Sequence, residues 1–172
     1  MRLLIEKGAH RRKGPEIKPS VEEELHKRAF WTLIVYDRLM SCFLGRPTAI
    51  QDEECAITRH ISPDADNICS FDVDYPLEVD DEFWETADSD KAFQQPQNKP
   101  CQISAFNCTI KLCEILAFTQ RTLYSTKKSK LMTGFVGSEW EYRIVSQLDS
   151  SMNRWKDSLP KHCEYTNHFW FT

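Results

Sequence analysis

Between Ser20 and Gly45, apolar side chains return every three or four positions: Leu25, Ala29, Leu33, Met40 and Leu44. Asp37 is the polar member of that series, and Phe30, Ile34 and Phe43 widen its face. Ser20-Val21-Glu22-Glu23 forms a capping box with Pro19 just outside it, Gly45 is placed to cap the C-terminus, and Pro47 blocks resumption. This spacing predicts a long helix with the Leu25–Leu44 series facing the core. A second helix is predicted from Ile103, Phe106, Ile110, Cys113, Ala117 and Tyr124, with Leu112, Ile115, Leu116 and Leu123 as a second stripe, so it should be buried on two sides. A third opens with the capping box Ser138-Glu139-Trp140-Glu141, runs through Ile144, Leu148, Met152, Trp155 and Leu159, and ends at Pro160. Residues 50–76 lack periodicity and read as irregular connection. Glu78–Ala87 reads as a short helix with Phe83 and Trp84 inward, and Gln94–Pro100 as a loop. No stretch of useful length alternates with a period of two, so the expected fold is all-α: an irregular helical domain of several long helices.

With 172 residues, 41% of them apolar, the chain suffices for one domain with one core. No apolar run reaches the ~18 residues of a membrane-spanning helix, and charges among the first residues argue against a secretory signal. A soluble intracellular protein is expected. Acidic residues number 26 against 22 basic ones, concentrated in residues 51–90, where fourteen acids accompany Arg59 as the one base. That belt would repel a phosphate backbone. Seven cysteines, an odd number with no C-x-x-C pair, read as free and mostly buried thiols rather than a zinc or disulfide framework. The Asn107-Cys108-Thr109 triplet falls inside the second helical pattern and carries no glycosylation signal.

The segment from Arg28 through Trp31, Asp37, Arg38 and Ser41 to Gly45-Arg46-Pro47 and Ile50-Gln51-Asp52 resembles a known signature, R-x-F-W-x-x-x-x-x-D-R-x-x-S-x-x-x-G-R-P-x-x-I-x-D. It is similar to the fungal-specific transcription factor domain, the middle homology region of fungal binuclear zinc cluster regulators. The resemblance continues through Phe71-Asp72-Val73-Asp74-Tyr75-Pro76 to Phe83-Trp84 and into the later helices, and Gly8-Ala9-His10-Arg11-Arg12 resembles the end of a preceding helix. It covers 8–54 and 71–162 within a single partial domain, 1–172. The resemblance implies an all-α regulatory or effector domain of a nuclear factor acting in DNA-templated transcription. Its partners would be coregulator proteins or the transcription machinery, with a small-molecule inducer as a further candidate and no membrane. The six-cysteine cluster is absent from this chain, so zinc and DNA contact would belong to a cluster lying outside it. Further helices normally follow the Leu159-Pro160-Lys161-His162 point, so a fragment cut at both ends is expected. Residues 55–70 have no counterpart in the signature and are expected to form a surface insertion loop or a translated intron.

Asp37 interrupts an apolar face with Arg28, Arg38 and Arg46 near it in sequence. An ion pair with Arg46 or Arg28 is expected, the alternative being a polar ligand-sensing pocket. The acidic-aromatic run Glu78–Glu85 is either an amphipathic turn with Phe83 and Trp84 in the core or an exposed peptide for a coactivator groove. Arg11-Arg12-Lys13 and Lys127-Lys128 with Lys130 read as solvated basic clusters, and His162, Cys163 and His168 as a polar tail rather than metal ligands. No catalytic residue is assigned: there is no nucleophile elbow, zincin helix or phosphate-cradling loop, and His10, His26 and His60 lack partners at a fixed spacing. Beside the regulatory fragment, two other readings are a stand-alone helical small-molecule sensor and an unrecognised hydrolase or transferase.

Overall fold

The structure, a computed structural model, describes residues 19–49, 73–85, 92–124 and 140–164. In these residues the chain is helical and contains no strand: α1 (Val21–Leu44), α2 (Ile103–Thr122), α3 (Trp140–Asp157) and the short α4 (Lys161–Glu164), with a single 3-10 turn at Asp81–Phe83. Helix α2 lies between α1 and α3 and packs against both. No helix among the described residues is long and apolar enough to cross a membrane.

The bounds of α1 follow its local signals. The Ser20 hydroxyl accepts the Glu23 N–H at 3.2 Å, Glu22–Glu24 load the first turn with acid, and Gly45 at φ 60° closes the helix. Its buried face, however, is not the expected one. Leu25, Leu33, Met40, Phe43 and Leu44 are exposed, together with Tyr36, and Ala29 is exposed beside them. The helix instead buries Glu24, Phe30, Trp31, Ile34, Val35, Arg38 and Ser41. Phe30, Trp31, Ile34 and Val35 join Ile110 and Cys113 of α2 in the core, with Val73, Tyr75 and Phe106 packed against them. Two stripes of α1 are thus apolar, and the inward one carries the charges.

Helix α2 meets its expectation of burial on both sides: of its own residues, only Lys111 is exposed, although Tyr124, just beyond the helix, points outward. Its N-terminus has no cap from its own sequence; the Asp80 carboxylate supplies one across the fold, accepting the Gln102 N–H at 2.9 Å. Helix α3 turns Ile144, Leu148 and Trp155 inward as its periodicity predicts, while Met152 is exposed and Ser151 takes the inward place. The Ser138 capping box, the basic clusters at 11–13 and 127–130, and the 55–70 segment lie outside the described residues.

Glu78–Ala87 is not the short helix that was expected. Glu78 lies in a bend, Asp80 is extended, helical geometry is confined to Asp81–Phe83, and 86–91 lie outside the described residues. Long-range bonds take the groups a helix would have used. The Asp80 N–H goes to the Gln95 side-chain carbonyl at 2.9 Å, and the Val79 carbonyl to Arg28 and Trp84.

Candidate functional site

The signature residues divide between the two ends of α1. At the N-terminal end a buried polar latch fastens α1 to residues 73–85. Glu24 is 1% exposed; its carboxylate accepts the Leu77 N–H at 2.8 Å and pairs with Lys27 and Arg28. The Arg28 guanidinium bonds Asp81, donates to the Val79 carbonyl at 2.8 Å, and lies 4.3 Å from the Trp84 ring centroid. Trp31 donates its indole N–H to the Asp74 carbonyl at 3.0 Å and packs on the Tyr75 ring at 5.3 Å. Every contact from α1 to residues 73–85 spans more than forty residues, so this latch, rather than any local turn, sets the path of the segment.

Trp84 is buried. Its indole N–H bonds the Val79 carbonyl, and its ring stacks on Phe93 at 5.9 Å and 19°. Phe93 takes a left-handed φ of 58°, unusual for a bulky residue, held by this stack and by its N–H on the Phe83 carbonyl. Phe83 is half-buried with the Lys99 ammonium over its ring, and Lys99 also pairs with Glu82. The acidic-aromatic run therefore places Trp84 in the core and leaves Phe83 at its edge; Trp84 is not offered to a partner. Asp80 joins the same knot, its carboxylate accepting from Gln102, Gln95 and the Cys101 thiol. Burial pushes its carboxyl up, but those bonds, helped by the Lys99 charge, outweigh it and hold Asp80 below the usual carboxylate range.

Deeper in, Arg38 (2% exposed) and Glu114 (5%) place opposite charges beside Tyr75 and Cys113. The Tyr75 hydroxyl donates to Glu114 at 2.8 Å. Burial, the Glu114 charge and that bond drive the phenol far above its ordinary range, with Arg38 opposing in part. Burial likewise raises the Cys113 thiol. Asn107 is buried too, donating to the Pro76 carbonyl and Glu78, so its amide is committed inside the fold.

At the other end, the Asp37 carboxylate accepts the Ala49 N–H with both oxygens, at 3.0 and 3.2 Å. This ties the Gly45-Arg46-Pro47 turn back onto the helix, as does the Ser41 hydroxyl bonded to the Pro47 carbonyl. The expected pairing with Arg28 is corrected by helix geometry: nine residues of rise separate the two, roughly 14 Å. Arg46 is exposed, and its backbone N–H bonds the Ser41 carbonyl at 3.0 Å. It is the Ala49 backbone amide that meets the Asp37 carboxylate.

Glu24, Tyr75 and Glu114 were missed as members of this network. Glu114 carried a legible signal, because a carboxylate set within a helix apolar on two sides must find a buried partner. Glu24 carried none, since acids in a first turn are explained by the helix dipole alone. Among the described residues no group of three or more His, Cys, Asp or Glu side chains is placed to hold a metal ion.

The model of the fungal specific transcription factor domain matches residues 1–157. Three curated fungal proteins are similar over nearly all of this chain, two of them as follows. Activator of stress genes 1 of Saccharomyces cerevisiae is 28% identical over 94% of the chain and 14% of its own length. Cutinase transcription factor 1 alpha of Fusarium vanettenii is 25% identical over 95% of the chain and 15% of its own length. The chain thus spans about one seventh of each of these two relatives. No solved structure matches it. With the family model covering most of the sequence and the signature residues in place, the chain belongs to the fungal specific transcription factor domain family.

Proposed function

We propose that this chain is part of the regulatory domain of a nuclear fungal transcription regulator, acting through protein contacts and neither reading DNA nor carrying out catalysis itself. The observation that carries this reading is the direction of the signature side chains. Arg28, Trp31 and Asp37 all bond the chain's own backbone, and Arg38 is buried, so the motif builds a scaffold rather than a reactive centre. What the scaffold presents outward is the second stripe of α1, with Leu33, Tyr36, Met40 and Phe43 between 38% and 81% exposed. Such a stripe suits an amphipathic helix of a coregulator or of the transcription machinery. DNA contact and zinc belong, in this reading, to a cluster elsewhere in a longer protein, and residues 55–70 are an insertion within the one domain.

The test fuses the whole chain to a heterologous DNA-binding domain at a yeast reporter. Changed reporter output is expected, and it should be lost in a Leu33→Gln, Met40→Gln double variant whose melting temperature is unaltered. Output equal to that of the DNA-binding domain alone, or insensitive to the stripe, refutes the reading. The unfused chain should show no sequence-dependent binding to duplex DNA at physiological salt.

A further inference from the structure

Cys108 sits within α2, buried, and Cys163 in α4, partly buried. Near the end of α3, Trp155 donates its indole N–H to the Cys108 carbonyl at 2.8 Å, which sets this end of α3 beside Cys108. The chain then tightens: the Ser158 and Leu159 N–H groups bond back to Arg154, Trp155 and Lys156 carbonyls, and the Pro160 carbonyl accepts the Cys163 N–H at 2.8 Å. This turn folds Cys163 back against α2, where its thiol lies beside that of Cys108. Cys101 lies close by, its thiol bonded to Asp80.

We propose that Cys108 and Cys163 form a dithiol that hydrogen peroxide converts to an intrachain disulfide, fastening α4 to α2. The more accessible Cys163 thiolate attacks the O–O bond, giving a sulfenic acid and releasing one water. The Cys108 thiolate then attacks that sulfur; the S–S bond forms and the S–O bond breaks. The oxygen leaves as a second water, carrying the thiol protons. Two thiols lose two electrons and one peroxide gains them. The sulfurs must close to about 2 Å, a movement the four-residue α4 at the edge of the fold can make. Burial raises both thiols above the ordinary range. Around Cys108 the Lys111 charge opposes this and Glu78 adds to it; around Cys163, Cys108, Glu78 and Cys101 add. The pair is therefore protonated at neutral pH and responds slowly, faster as pH rises.

The test treats the full reduced chain with hydrogen peroxide, alkylates it under denaturing conditions and maps tryptic peptides without reduction. The count of free thiols should fall from seven to five, with peptide 92–111 joined to peptide 162–172. Peptide 92–111 carries both Cys101 and Cys108, so the link must persist in Cys101→Ser and vanish in Cys108→Ser; fragment ions of the wild-type link make the same assignment should a variant fail to fold. A link through Cys101, a disulfide between chains, pairing of Cys163 with Cys55 or Cys69, or overoxidation of Cys163 without any link each overturns the proposal.

Discussion

Replacing Arg28 with alanine removes four contacts at once, and their surroundings decide what each is worth. The Asp81 carboxylate is 73% exposed and returns to water, so that arm contributes on the order of 0.5 kcal/mol. The guanidinium over buried Trp84 contributes about 1–2 kcal/mol. The Val79 carbonyl stays satisfied, because the Trp84 indole N–H remains on it at 3.2 Å. Glu24 is the costly partner: it is nearly inaccessible, yet it keeps the Leu77 N–H and Lys27. Its share is about 1–2 kcal/mol, below the roughly 3–5 kcal/mol of a buried pair broken outright. The whole loss is about 3 kcal/mol, and thermal melts of the full chain followed by circular dichroism should fall by about 6–12 °C. Arg28→Lys should lie between, since an ammonium keeps the charge but lacks the planar fork that reaches Val79 and stacks on the indole. Coincident melts for Arg28→Ala and the parent would mean that Arg28 does not hold residues 73–85 to α1.

Asp37→Ala should cost about 1–2 kcal/mol through the lost Ala49 bond and accelerate exchange of the Ala49 amide; an unchanged exchange rate refutes the turn-tying role. Asp80 is depressed in the fold, so its stabilising contribution is complete above the unfolded carboxylate range near 4 and is lost as pH falls through its lower folded value. Asp80→Asn should flatten melting temperature against pH between about 5 and 2, and parallel curves would count against the cap on α2. Tyr75 is raised, so its contribution is complete below about pH 10 and is lost as pH climbs toward the folded value. Ultraviolet titration should show one tyrosine that ionises only with alkaline unfolding, absent in Tyr75→Phe; ionisation of all five tyrosines before unfolding rejects the buried bond to Glu114.

The ends of α1 were legible because Ser20 and Gly45 act on backbone groups within a few residues. Its inward face was not. The Leu25–Leu44 stripe has as good a period as the buried one, and the buried one carries Glu24, Arg38 and Ser41. Glu24 has local partners in Lys27 and Arg28, but Leu77 meets it from a distant part of the chain, as Tyr75 and Glu114 do beside Arg38, and no local window reveals these. The short helix was overextended for the same reason: the backbone of 78–80 is claimed by Arg28, Trp84 and Gln95. Helix α2 was read well because two apolar stripes on one helix leave little besides a position between two neighbours.

That position has a cost in sequence freedom. A surface helix has an outer face on which substitution is nearly free, usually within about 0.5 kcal/mol. Along α2 only Lys111 is exposed, and even its ammonium lies 5.8 Å from the Tyr75 ring centroid. A saturation scan of Ile103–Thr122 should therefore find almost no neutral positions. The same scan over α3, exposed at Glu141, Tyr142, Arg143, Val145 and Ser146, should find them at regular intervals. Drift in this domain is channelled to its flanks, while the middle helix can change only in concert with both of its neighbours.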